Sequence, residues 1–179
     1  MLTIAGCGKT TVSKALSAYY NYIFIEGDDF HSSENIAKMT NGIPLNDFDR
    51  SVWLDQIVKT IAVKAMEPGT LGITVACSAL KKIYRLVLKK AETSQNVEMF
   101  FLFLKLDIET LQNRITARKG HFMKKEMLDS QLKTLESPEC DESNVIIVDA
   151  RGTPAEVNQL AFRQWGRILE EKKTGGLSE

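Results

Sequence analysis

Apolar positions along the chain fall into two rhythms. Short runs at residues 2–5, 22–25, 71–76, 99–106 and 145–148 are apolar on consecutive positions and rich in branched or aromatic side chains. Consecutive burial of that kind marks strands covered on both faces, as in a parallel sheet. Between these runs lie longer stretches with helical spacing, at 9–20, 47–66, 79–91, 108–118, 124–135 and 154–173. In 47–66, Val52, Leu54, Ile57, Val58, Ile61 and Val63 recur at near-helical intervals, and Asp47 stands where an N-cap is expected. Pro154 suits the first turn of the last helix. Alternation of five strands with helices predicts an α/β fold, a doubly wound five-stranded parallel sheet flanked by helices. In such sheets ligands gather at the carboxyl ends of the strands.

Composition narrows the class of partner. The 179 residues are enough for one domain with a core of its own. Lys plus Arg and Asp plus Glu number 23 each, so the chain lacks the basic excess of a nucleic-acid or membrane surface; neither partner is expected. Cys7, Cys77 and Cys140 are odd in number and show no metal-ligand spacing, which fits a reducing compartment. No apolar stretch approaches the roughly 20 residues of a membrane span, and no secretory pattern is visible at the start. A cytoplasmic protein is expected.

The chemistry begins at Gly6-Cys7-Gly8-Lys9-Thr10-Thr11, between the first apolar run and the first helix. Glycines there let backbone N–H groups turn inward around phosphate oxygens, and the following helix N-terminus favours negative charge. In the full signature, G-x-x-x-x-G-K-[ST], the lysine neutralises the β- and γ-phosphates of ATP and the hydroxyl ligates Mg2+. Lys9 and Thr10 stand at those two positions, while Thr3 occupies the place of the first glycine. A glycine-rich strand-to-helix turn with no ligand has the same local pattern.

Four further segments carry candidate residues. Glu26-Gly27-Asp28-Asp29-Phe30-His31 follows the second apolar run, where a carboxylate can accept a hydroxyl proton or hold Mg2+ through water. A solvated turn with an Asp cap is the plain alternative. In 35–50, Gly42 and Pro44 break a helix and a new one starts, putting Arg50 one turn in. There it faces a bound carboxylate, or pairs with Asp47 or Asp49 at the surface. Lys81, Lys82 and Arg85 form a basic patch after Cys77-Ser78-Ala79, or simply an exposed helix face. Arg114 and Arg118 share a helical face beside Lys119-Gly120-His121-Phe122, suited to a triphosphate under a mobile segment, or to the helix C-terminus.

Taken in order, GCGKTT, GDDFH, NIAKMTNGIPLNDFDR, ACSALKKIYR, RKGHFM and QLKTLE resemble the gluconate kinase family, P-loop sugar-acid kinases related to shikimate and nucleoside-monophosphate kinases. The resemblance spans most of the chain, and GIPLND-x-DR and CSALK-x-x-YR are far more specific than a phosphate loop alone. It implies transfer of the γ-phosphoryl of ATP to the 6-hydroxyl of D-gluconate, with Mg2+, a small lid at about 119–135, a polar tail at 174–179 and a homodimer. By the same resemblance Gly6, Cys7, Gly8, Lys9, Thr10 and Thr11 hold the nucleotide with Arg114 and Arg118, and Thr10 holds the metal, with Asp28 through water. Lys9, Asp28 and Arg118 are the implied catalytic residues; Asp28, His31, Arg50, Lys81, Arg85 and His121 line the acceptor. A shikimate or nucleoside-monophosphate kinase and a non-catalytic ATP-binding module remain the rival readings.

Overall fold

The computed structural model describes residues 4–94, 97–117, 125–139 and 141–175. Seven helices are present among them: α1 (Lys9–Tyr20), α2 (Ser33–Thr40), α3 (Asp47–Ala65), α4 (Lys82–Lys89), α5 (Ile108–Ala117), α6 (Lys125–Thr134) and α7 (Pro154–Gly175). They alternate with strands β1 (Ile23–Glu26), β2 (Ile73–Ala76), β3 (Phe101–Lys105) and β4 (Val145–Asp149). β1 pairs parallel with β2, Ile25 opposite Val75, and β3 pairs parallel with β4, Phe103 opposite Ile147. The architecture is therefore α/β with parallel strands flanked by helices. The described strands form two pairs; of the predicted first strand at 2–5, residues 2 and 3 lie outside the described residues, and Ile4 and Ala5 are not part of a ladder.

Two apolar clusters hold the elements together. In one, Trp53, Leu54, Ile57 and Ile61 of α3 pack on Ile25, Phe101 and Phe103, with Tyr84 and Leu88 of α4 beside them. In the other, Ile4, Val12 and Leu16 meet Leu102, Leu104 and Val148, closed by Val157 and Ala161 of α7. β3 has four successive buried residues from Phe101 to Leu104, as its unbroken apolar run requires. Among the described residues, no helix is long and apolar enough to cross a membrane.

Several boundaries differ from the sequence expectation for local reasons. Asn46, not Asp47, caps α3: its side chain accepts from Asp49 N at 2.9 Å, and the Asp49 carboxylate in turn accepts from Asn46 N at 3.1 Å. This reciprocal capping box satisfies two backbone donors, which a lone Asp47 would not. Asp47 becomes the first helical residue, with its carboxylate left for other partners. The helix expected from 79 starts at Lys82, because Lys81 is extended (φ −97°, ψ 152°) and the Glu136 carboxylate accepts from Lys82 N at 2.6 Å. Its far end tightens into a 3-10 turn at Lys90–Ser94.

Candidate active site

The phosphate-type loop owes its shape to two glycines. Gly6 has φ +88° and Gly8 φ +104°, both in the left-handed region that side chains avoid. At Gly6 a Cβ would also stand 2.8 Å from Ile115 Cγ1. Gly8 caps α1 without a side-chain bond, and α1 has no acidic residue in its first turn, so the positive end of the helix is open to an anion. Cys7 between them is buried; Thr11 is exposed on α1. Arg114 braces this loop from α5, donating to the Cys7 carbonyl at 3.3 Å and to the Gly152 carbonyl at 2.6 Å.

Lys9 Nζ donates to the Ile4 carbonyl at 3.1 Å, so its ammonium lies at the loop's entrance. Thr10 Oγ1 donates to Glu26 Oε2 at 2.8 Å, tying the first turn of α1 to the end of β1. Glu26 opens the acidic segment read from the sequence, although the metal role there was given to Asp28. The signal for Glu26 was its place as the acid that directly ends the apolar run 22–25, one step before the close-packed Gly27.

From Glu26 the chain enters a 3-10 turn, Gly27–Phe30. A Cβ on Gly27 would lie 2.5 Å from the Ala76 carbonyl, so only glycine lets the end of β1 approach β2 this closely. Trp53 Nε1 donates to the Gly27 carbonyl at 2.6 Å and locks the turn. Asp28 projects into solvent, its side chain 72% exposed, with His31 Nε2 at 4.0 Å from its Oδ1. His31 stacks flat on Trp53, rings 4.5 Å apart at 12°. Burial pushes the His31 pKa down; Asp28 opposes this and Arg50 adds to it, so the ring is neutral at pH 7.

Arg50, one turn into α3, is buried and lies over the Tyr84 ring at 5.8 Å. Both carboxylates near it are taken by others. Asp47 accepts from Lys81 Nζ at 2.8 Å on both oxygens and from the Tyr84 hydroxyl; Asp49 accepts from Lys38 Nζ at 2.7 Å. As a result Arg50 Nε is buried without a hydrogen-bond partner, and so is His31 Nδ1. Buried donors and acceptors are ordinarily paired, so two unpaired ones in the same field point to a missing polar ligand. The fields of Lys9, Asp28 and Arg50 all reach the buried Cys77 thiol just after β2, and burial pushes that thiol up to about 12, leaving it inert. The loop, the acid and the arginine thus converge at the carboxyl ends of β1 and β2.

Two sequence-derived assignments sit differently in the fold. Arg85 is already paired within the fold. It is 2% exposed and spent on Glu142 (Nε to Oε2 2.5 Å, Nη2 to Oε1 2.6 Å) and on the Glu136 carbonyl at 3.1 Å. A buried guanidinium needs this pairing. Lys81 is bound to Asp47 rather than standing free. Arg118 and His121 lie outside the described residues.

The donor set fits a magnesium nucleotide. Thr10 and Glu26 offer a hydroxyl and a carboxylate, the hard oxygens that Mg2+ takes. Among the described residues no three His, Cys, Asp or Glu cluster as a metal cage. Mg2+ in kinase sites is held largely by the substrate phosphates, so a sparse protein set is what the chemistry asks for.

The comparisons with known proteins agree with this geometry. The Shikimate kinase family matches residues 5–165. A probable gluconokinase of Schizosaccharomyces pombe is 42% identical over 169 residues, covering 94% of this chain and 88% of its own. The thermoresistant gluconokinase of Escherichia coli is 38% identical over 149 residues, covering 83% and 82%. The crystal structure of a gluconokinase from Sinorhizobium meliloti superposes with a TM-score of 0.84 at 35% identity, covering 97% of this chain and 94% of that one. The chain belongs to the shikimate kinase family of P-loop kinases and, within it, to the gluconokinases.

Proposed function

We propose that the chain transfers the γ-phosphoryl group of ATP to the 6-hydroxyl of D-gluconate, giving 6-phospho-D-gluconate. The observation that carries this reading is the pair of buried, unpartnered nitrogens, Arg50 Nε and His31 Nδ1, beside Asp28. A sugar acid brings a carboxylate for the arginine, hydroxyls for the neutral histidine and a terminal hydroxyl for the aspartate.

In this reading the loop from Gly6 to Thr11 holds the triphosphate, with Lys9 on the β- and γ-phosphates and Arg114 bracing the loop. Thr10 and Glu26 hold Mg2+, which when bound neutralises charge on the transferring group. Asp28 accepts a hydrogen bond from the attacking hydroxyl and orients it. Phosphoryl transfer is loose, so positioning and charge stabilisation dominate over proton removal. By family resemblance Arg118 is a lid-side arginine near the nucleotide, and His121 belongs to a lid at about 119–135 that closes over the phosphates. A five-stranded sheet is supported by Ile4, which packs among Leu102, Leu104 and Val148. A homodimer acting in the cytoplasm, in carbohydrate breakdown by the pentose phosphate route, completes the reading.

A coupled ADP-release assay over a panel of acceptors tests it. Gluconate is expected to give turnover far above shikimate and nucleoside monophosphates. Turnover with one of those and not with gluconate would overturn the substrate assignment.

A further inference from the structure

Arg50 has an acidic residue three positions before it, Asp47, on the same face of α3. A free carboxylate there would pair with the buried guanidinium and compete with any incoming acid. The structure prevents this. Lys81 Nζ binds both Asp47 oxygens at 2.8 Å, and the Tyr84 hydroxyl donates to Asp47 Oδ1. The ring of the same tyrosine lies against the Arg50 guanidinium at 5.8 Å. Contact with a ring face leaves the in-plane N–H groups of an arginine unspent. One side chain therefore holds the competing acid while its ring supports the cation. Burial and Asp47 both raise the Tyr84 pKa, so the hydroxyl stays a donor across the physiological range.

We propose that Lys81 and Tyr84 are positioning residues that keep Asp47 off Arg50, so that the Arg50 guanidinium stays open for the carboxylate of the acceptor. The basic charge of Lys81 is then spent on Asp47, not on substrate. This rests on the reading of Arg50 as the carboxylate-binding residue.

The experiment is a double-variant cycle on the full chain, read by separate KM values for gluconate and ATP. Lys81 and Asp47 side chains are 27% and 66% exposed, so substitutions there leave the core untouched, and thermal melting checks this. Lys81→Met releases Asp47, and the gluconate KM is expected to rise about five- to tenfold, with the ATP KM within about twofold. Tyr84→Phe keeps the ring, loses one donor and is expected to shift the gluconate KM in the same direction by less. The double variant Lys81→Met/Asp47→Asn removes the competing charge and is expected to return the gluconate KM to within about twofold of wild type. A gluconate KM that stays raised in the double variant would mean that Lys81 touches substrate directly, and would overturn the proposal. No rise in Lys81→Met, or an equal rise in both KM values, would overturn it too. A wild type that phosphorylates another acid and not gluconate defeats the substrate reading alone, and the same cycle is then read on the KM of that acid.

Discussion

The Thr10 hydroxyl and the Glu26 carboxylate are joined by a 2.8 Å hydrogen bond between the first turn of α1 and the end of β1. Glu26→Gln keeps an acceptor for Thr10 but removes the negative charge beside it. If the pair forms the protein's share of a magnesium site, the Mg2+ concentration for half-maximal rate rises about tenfold or more in this variant. A titration of rate against Mg2+ at fixed ATP checks this. A curve that overlays wild type would take Glu26 out of the site.

Lys9→Ala tests the loop itself. A single charged contact to the transferring group supplies about 3–4 kcal/mol of transition-state stabilisation. The variant should therefore lose at least about a hundredfold in kcat. Near-normal turnover would show that the Lys9 ammonium, seen here on the Ile4 carbonyl, never reaches the phosphates.

Arg50→Ala separates the two substrates. Arg50 is buried over Tyr84 with an unpartnered Nε. Its loss should raise the gluconate KM by about a hundredfold, since charge-assisted bidentate bonds are among the strongest available, while the ATP KM stays near wild type. Equal damage to both would place Arg50 elsewhere in the mechanism.

Which parts of this architecture were legible in the chain follows from how local their causes are. α1 ends where expected because Gly8 and Asn21, both at positive φ, bound it from its own sequence. Lys9 and Thr10 could be named from the glycine-loop pattern and Asp28 from its place after the second apolar run, whereas His31 and Arg50 were named through the resemblance of GDDFH and GIPLNDFDR to the gluconate kinase family. The start of α4 could not, since the group that caps Lys82 N is Glu136, 54 positions away. The pairing of Arg85 was hidden for the same reason. A sequence shows its charge, but its depth and its partner Glu142, 57 positions on, belong to the fold. The cap of α3 slipped by one residue because Asn46, Asp47 and Asp49 are all competent, and only the reciprocal bonds between Asn46 and Asp49 decide among them.

Gly27→Ala should destabilise the protein by about 1–3 kcal/mol, the usual cost of forcing an extra methyl into a packed site. The new Cβ would lie 2.5 Å from a backbone carbonyl, that of Ala76, which cannot swing aside as a side chain would. Relief must come from β1 or β2, and either moves Asp28 and the Gly27 carbonyl that holds Trp53. Urea unfolding should show the loss as a lower midpoint at unchanged slope, accompanied by reduced kcat. A variant as stable and active as wild type would mean that the strands are not this close in solution.

The Arg85–Glu142 pair gives the protein an acid-sensitive joint. Arg85 is 2% exposed and Glu142 12%, and two short bonds connect them. The Arg85 hydrogen bonds hold the Glu142 carboxyl below its ordinary range. A depressed folded pKa means that the unfolded chain binds the proton more readily, so the pair's contribution is full above the ordinary Glu value. It fades as pH falls through that value toward the lower folded one. Glu142→Gln should therefore cost stability at pH 7 and lose less than wild type on going from pH 6 to pH 3. Arg85→Ala removes the cation beside the half-buried Glu142 carboxylate and leaves the large buried site of Arg85 empty, and should cost about 3 kcal/mol at pH 7. The same loss removes one of the bonds that tie the segment around Glu136 to the start of α4, where Lys81 and Tyr84 hold Asp47, and leaves the Lys82 N bond to the Glu136 carboxylate to hold it. The gluconate KM of Arg85→Ala should thus rise even though the Arg85 side chain is spent on Glu142 and the Glu136 carbonyl. Denaturant melts across pH, paired with KM values for both substrates, check all three expectations, and an Arg85→Ala protein as stable as wild type would remove the joint from the account.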